Sequence, residues 1–167
     1  PQNVLANGAS DTSIQIAFSA GAASGVSSYD ATCIGDPASS SFSGTDSPSQ
    51  EFDNSEGILA SISLDANGAI SPAGLTVSVD ITHAYRGDVT IELISPTGRV
   101  AQLKGSNGSD RADDVVEVYT VASMAGEAAS GEWRLRVGDG YPGDDGVLNS
   151  WGISGTSLVA PRVVAAR

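Results

Sequence analysis

A period of two in the apolar residues recurs along this chain and limits its fold more than any other feature. Ile14, Ile16 and Phe18 alternate with Gln15 and Ala17, and Ala60, Ile62 and Leu64 with Ser61 and Ser63. Leu75, Val77, Val79 and Ile81 alternate with Thr76, Ser78, Asp80 and Thr82; Val89, Ile91 and Leu93 with Thr90 and Glu92; Trp133, Leu135 and Val137 with Arg134 and Arg136. Successive side chains of a strand point to opposite faces, so each run reads as a strand with one buried and one wet face. No amphipathic stretch of helical period exceeds about three turns, and residues 121–130 offer at most a short helical turn.

Residues 89–94 and 99–104 are joined by Ser95-Pro96-Thr97-Gly98. Pro at the second and Gly at the fourth position fit a type I turn, so the pair reads as a hairpin. Residues 115–121 mix Val115, Val116, Val118 and Val121 with Glu117 and Tyr119, which predicts a strand partly buried on both faces. Residues 147–154 hold Trp151 and Ile153 and read as the last core strand. Some eight short strands, separated by loops drawn from Gly, Asp and Ser, imply an all-β chain: an antiparallel, jelly-roll-like β-sandwich. With 5% aromatic residues, its core is built from small and aliphatic side chains around Trp133 and Trp151, both in phase with buried neighbours.

The domain reading has three parts. Residues 51–158 form the main sandwich. Residues 1–50 hold strand-like runs at Val4, 14–18 and 29–33 that resemble the first strands of a fibronectin type III module. A Ser-rich stretch without β period, residues 36–54, reads as a linker or a long surface loop. So short a segment cannot bury a sandwich core alone, which predicts that it docks on the larger domain. Residues 159–167 read as a tail. The first residue is Pro1, with no basic and apolar leader behind it, as in a processed product or an excised piece.

Charge excludes several partners. The formal net charge is -12, and no Lys or Arg precedes Arg86. Nucleic acids and anionic lipids bind through Lys and Arg, so neither is an expected partner. No apolar run approaches the ~20 residues of a membrane span. Cys33 is the only cysteine, so no intrachain disulfide forms.

Catalysis also lacks its parts. Nucleophilic hydrolysis needs a base beside the nucleophile, and His83 is the only histidine, at the end of a strand and with no Gly-x-Ser-x-Gly elbow in the chain. It reads as a structural hydrogen-bonding group, and one His with one Cys does not make a zinc set. Arg86-Gly87-Asp88 spells an adhesion tripeptide but reads as a turn ahead of a strand, and Asn107-Gly108-Ser109 is a sequon that also suits a plain turn.

Three acidic loops remain: one around Asp88, one at Asp110-Arg111-Ala112-Asp113-Asp114, and one from Asp139 through Asp144 and Asp145. Calcium takes six to eight oxygens held by tight turns, and these loops supply Asp and Gly, though none has the EF-hand pattern. Solvated turns without an ion are the competing reading.

Several blocks resemble one family. Residues 79–89 (VDITHAYRGDV) are similar to the "DI-HTYRGDL" signature of P domains, also called Homo B domains, which follow the catalytic domain in proprotein convertases and in many bacterial subtilisin-like proteases and metalloproteases. Leu93-Ile94-Ser95-Pro96-Thr97-Gly98 resembles "LISPSGT", and Gly131-Glu132-Trp133-Arg134-Leu135-Arg136-Val137 resembles "GTWTLRV". Asp139, Gly143-Asp144, Gly146 and Leu148-Asn149-Ser150-Trp151 resemble "D---GDTGTLNSW", and Asp113-Asp114 fall at "FDD". The resemblance covers about residues 56–156. Ala84 replaces a common Thr, and the family's "PL--F-G" stretch is reduced to residues 122–126.

The resemblance implies a secreted, extracellular, non-catalytic C-terminal domain of a subtilisin-like serine protease, bacterial in origin. Such a domain packs on its own protease's catalytic domain, stabilises it and assists its folding, with contact to protein substrate as a further role. It implies bound Ca2+, with Asp88, Asp113, Asp114, Asp139 and Asp144 as metal ligands. The alternative is a stand-alone extracellular module that binds protein or polysaccharide through Tyr29, Tyr85, Tyr119 and Tyr141.

Overall fold

The computed structural model describes residues 4–10, 13–18, 38–141 and 143–159. In this numbering the strands are β1 (Val4–Ser10), β2 (Ser13–Phe18), β3 (Ala38–Asp46), β4 (Gln50–Phe52), β5 (Ile58–Leu64), β6 (Ala69–Thr82), β7 (Val89–Ile94), β8 (Val100–Lys104), β9 (Val115–Val121), β10 (Gly131–Asp139) and β11 (Gly146–Val159). A single 3-10 turn at Ala122–Met124 is all that forms of the expected helical turn.

Strands β3 to β11 make an antiparallel sandwich. One sheet has the order β5-β10-β7-β8; the other has β3-β11-β6-β9, with β4 on the β3 side of β11. Each period-two run places its apolar set inside. Val77 and Ile81 of β6, Ile91 and Leu93 of β7, Trp133, Leu135 and Val137 of β10, and Trp151 and Ile153 of β11 are all buried in one core. The indole N–H of Trp133 donates to the Ala129 carbonyl at 3.1 Å, so this ring is fixed by a hydrogen bond as well as by packing. The 89–94 and 100–104 strands are a hairpin, and Gly98 N–H donates to the Ser95 carbonyl at 2.9 Å, closing the expected turn.

Two readings of the sequence are corrected. The Ser-rich stretch is not a linker: β3 and β4 lie within it, and the sandwich occupies Ser39–Val159 rather than starting at residue 51. Its alternation was hidden because Gly44 takes an inward position with no side chain to mark it. A Cβ there would stand 2.6 Å from Ile62 and 2.8 Å from Leu64, so the core itself requires glycine. Strand β9 is not buried on both faces. It is the outermost strand of its sheet, and Val116 and Val118 are exposed while Val115 and Val121 are inside. Valine stands on both faces, so its pattern carries no phase.

The β1–β2 pair is an antiparallel hairpin in a unit of its own. The third expected strand of that segment, around Tyr29 and Cys33, and the tail after Val159 lie outside the described residues.

Candidate functional site

One end of the sandwich gathers all three acidic loops. Strands β6, β8 and β10 run into that end and β7, β9 and β11 leave it, so the loops 83–88, 105–114 and 139–145 must meet there. Backbone hydrogen bonds tie them together. Arg86 N–H donates to Ala112 O at 2.8 Å, Asn107 N–H to Gly87 O at 2.6 Å, Asp114 N–H to His83 O at 2.9 Å, and Gly140 N–H to Asp88 O at 2.8 Å. Gly87 admits no side chain, since a Cβ would stand 2.3 Å from the carbonyl oxygens of both Asn107 and Asp110.

At the centre lies a buried polar pair. His83 and Asp139 have side chains with no solvent exposure, and His83 Nε2 stands 3.7 Å from Asp139 Oδ2. His83 Nδ1 accepts the Tyr85 backbone N–H at 3.1 Å, and in a neutral ring this places the proton on Nε2, the nitrogen aimed at Asp139. Asp139 Oδ1 accepts the Tyr141 backbone N–H at 2.8 Å. Neither Nε2 nor Oδ2 reaches hydrogen-bond distance of a partner. Phe52 stacks on the imidazole with centroids 5.8 Å apart, and Gly146 lies against both rings, where a Cβ would stand 2.3 Å from Phe52 Cζ and 2.7 Å from His83 Cδ2. The pair is sealed, so no substrate atom reaches the imidazole and it acts as a joint between two loops.

The five aspartates named from the sequence are distributed around this joint. Asp139 is at its centre. Asp114 caps it: its carboxylate accepts His83 N–H at 3.0 Å, and its backbone is left-handed at φ 54, which Asp tolerates better than most residues. Asp88 and Asp144 are half-buried, and Asp113 is exposed. Among the described residues, no three His, Cys, Asp or Glu side chains form a group that could hold a metal ion. A calcium ion in these loops would draw on backbone carbonyls and water as well as carboxylates.

Arg86 Nε donates to Asp110 Oδ2 at 2.8 Å. That bond, with the attraction behind it, holds the Asp110 carboxyl below the usual carboxylate range and raises the Arg86 guanidinium. Arg86 is thus tied down and Gly87 is buried, so the adhesion tripeptide is part of the loop packing.

The opposite end carries a polar cluster that the sequence did not single out. Glu127 accepts the hydroxyls of Thr97 and of Ser95, the latter at 2.8 Å, and faces Arg99 Nη1 at 3.5 Å. The Thr97 and Ser95 hydrogen bonds hold its carboxyl below the ordinary value. The cluster fastens the β7–β8 turn to the loop after β9.

Residues 72–154, about half of the chain, match the model of the proprotein convertase P-domain family. The transglutaminase-activating metalloprotease of Streptomyces mobaraensis is 48% identical over 80 residues, covering 48% of this chain and 10% of that protein. The leupeptin-inactivating enzyme 1 of Streptomyces exfoliatus is 43% identical over 84 residues, covering 50% of this chain and 19% of that protein. A crystal structure of the serine protease of Aeromonas sobria shares the fold over 72% of this chain and 27% of its own, with a TM-score of 0.59 at 15% identity. Residues 72–154 therefore belong to the P-domain family, an accessory rather than a catalytic domain of proteases. The matched relatives are five to ten times longer than the aligned stretch, and among the described residues no helix is long and apolar enough to cross a membrane.

Proposed function

We propose that this chain is the non-catalytic accessory part of a secreted bacterial protease, where it docks on the catalytic domain, stabilises it and assists its folding. The observation that carries the reading is the P-domain match combined with the sealed His83–Asp139 joint. The chain's only histidine is built into its own packing and is closed to substrate. A relative named as an extracellular basic protease supports an exported protease as parent.

The parent's class is proposed as subtilisin-like serine protease, from the signature around His83. The relative named a metalloprotease favours a second reading, since the same kind of domain occurs beside a different chemistry. A serine-directed inhibitor and a zinc chelator applied to the complete gene product separate the two. Calcium belongs to the proposal as a stabiliser of the loop end, supported by the orphaned Asp139 oxygen and the net charge of -12. Tyr85 and Tyr141, both exposed beside the joint, support the alternative of a stand-alone binding module.

The test is to mix the 167-residue chain with the separately produced catalytic part of the gene product. The reading expects no peptide hydrolysis by the chain alone, and binding to the catalytic part with longer retention of activity on heating. Hydrolysis by the chain that vanishes in His83→Ala would overturn it.

A further inference from the structure

The two sheets cover their outer faces differently, and the difference lies in the strand register. On the four-stranded sheet, exposed Leu59 is paired with Arg136, and exposed Val100 is paired with Ile94, which is itself paired with Arg134. A long arginine stem beside an apolar residue is able to cover part of it. On the five-stranded sheet, Val116 and Val118 are 72% and 70% exposed, more than any other exposed large hydrophobic residue described.

Their neighbours are short. Across the sheet, Val116 is followed by Asp80 and Ser150, Val118 by Ser78 and Gly152, and Thr120 by Thr76 and Ser154. None of these side chains reaches over a valine, and Asp80 is engaged by the Asn149 amide at 3.0 Å. Isolated exposed hydrophobics need no explanation. Two neighbours on one face, uncovered and next to rows of hydroxyls and a glycine, leave room for another backbone to approach closely. No Lys or Arg stands at any of these nine positions.

We propose that this face, centred on Val118, is where the rest of the protease polypeptide docks, an inference that rests on the accessory-domain reading above. The occupant follows from chain length. The matched stretch makes up 10% and 19% of the two curated Streptomyces relatives, so most of such a polypeptide lies outside this domain, yet tethered to it. A tether gives that neighbour a high effective concentration. A second copy of the chain is the poorer occupant, because a net charge of -12 on each copy opposes pairing. The complementary surface is neutral or basic around an apolar centre.

Cysteine labelling tests the face. Val118→Cys and Leu59→Cys are each made in a Cys33→Ser background, in the 167-residue chain and in the complete gene product, and their reaction with a maleimide is timed. Both sites are expected to react readily in the 167-residue chain. In the gene product Val118→Cys is expected to slow by about tenfold or more, as a covered side chain does when it is reached only through rare opening, while Leu59→Cys keeps its rate. Slowing at Leu59→Cys with Val118→Cys unchanged would overturn the proposed face and leave the accessory-domain reading standing. Unchanged rates at both sites would overturn both. Slowing of Val118→Cys that grows with the concentration of the 167-residue chain would identify a second copy as the occupant and overturn the proposal as well.

Discussion

The two ends of the sandwich solve the same problem in opposite ways. At the Glu127 end, a carboxylate meets two hydroxyls and an arginine, and it keeps 14% of its side-chain surface in water. At the His83 end, a carboxylate is sealed completely, with one oxygen on a backbone N–H and the other facing an imidazole beyond hydrogen-bond distance. A satisfied cluster at the surface is a local fastener. A buried, half-satisfied pair leaves polar groups without full compensation, and it persists where the surrounding packing enforces it or where something else completes it. The first end is therefore expected to behave as ordinary structure, and the second as the part of the domain whose stability responds to its surroundings.

The largest effect is expected at the end held by conventional packing. Trp133→Ala removes a fully buried ring and the hydrogen bond to Ala129, and is expected to cost about 3–5 kcal/mol in denaturant unfolding. A loss below about 1 kcal/mol would place the stability of the sandwich elsewhere.

The next effect sharpens the contrast directly. If calcium completes the His83 end, a hundredfold excess over Kd raises stability by about 2.7 kcal/mol. A chelator would then lower the melting temperature, and excess calcium would restore it. Asp139→Ala and Asp144→Ala are expected to blunt the response, and Glu127→Gln to leave it intact. Identical melting curves with chelator and with calcium would remove the ion from the account and leave the joint as packing alone.

Gly146→Ala inserts a methyl group between Phe52 and His83, at 2.3 Å from Phe52 Cζ, and is expected to cost about 1–3 kcal/mol by overpacking. Thermal melting that matches the parent chain would show that the joint yields more than its geometry implies.

The smallest effect belongs to Glu127 and is seen as a pH dependence. Its carboxyl is held below the unfolded value by the Thr97 and Ser95 hydroxyls. The folded state thus favours the ionised form, and the contribution is fully present above the ordinary carboxylate range and is lost as pH falls through the folded value. The stability gap between the parent chain and Glu127→Gln is expected to stay constant at neutral pH and to close in acid. A gap that widens in acid would reverse the assignment.

Period two carried most of the fold: the strands around Leu75, Val89 and Trp133 announce both their existence and their buried face. It failed where side chains gave no phase, at β3 because Gly44 takes an inward position among exposed serines, and at β9 because valine stands on both sides. The site was legible in part. The acidic loops could be named because Asp and Gly mark them, and the antiparallel topology then brings them to one end. The pairing of His83 with Asp139 was hidden, because the two residues come from the ends of strands in different sheets and only the packed sandwich sets their distance. Glu127 gave no sign either, since it sits in a loop with no period and its partners are hydroxyls of a distant turn.

The central claim, that this domain does no chemistry yet keeps a protease working, is tested most directly by deletion. The complete gene product and a version lacking residues 39–159 are produced side by side, and the half-life of peptide hydrolysis is measured at a temperature near the onset of inactivation. The account predicts that the shortened protein is recovered inactive or loses activity much faster, while the 167-residue chain alone hydrolyses nothing. A shortened protein that matures normally and holds its activity as long as the complete one would contradict it.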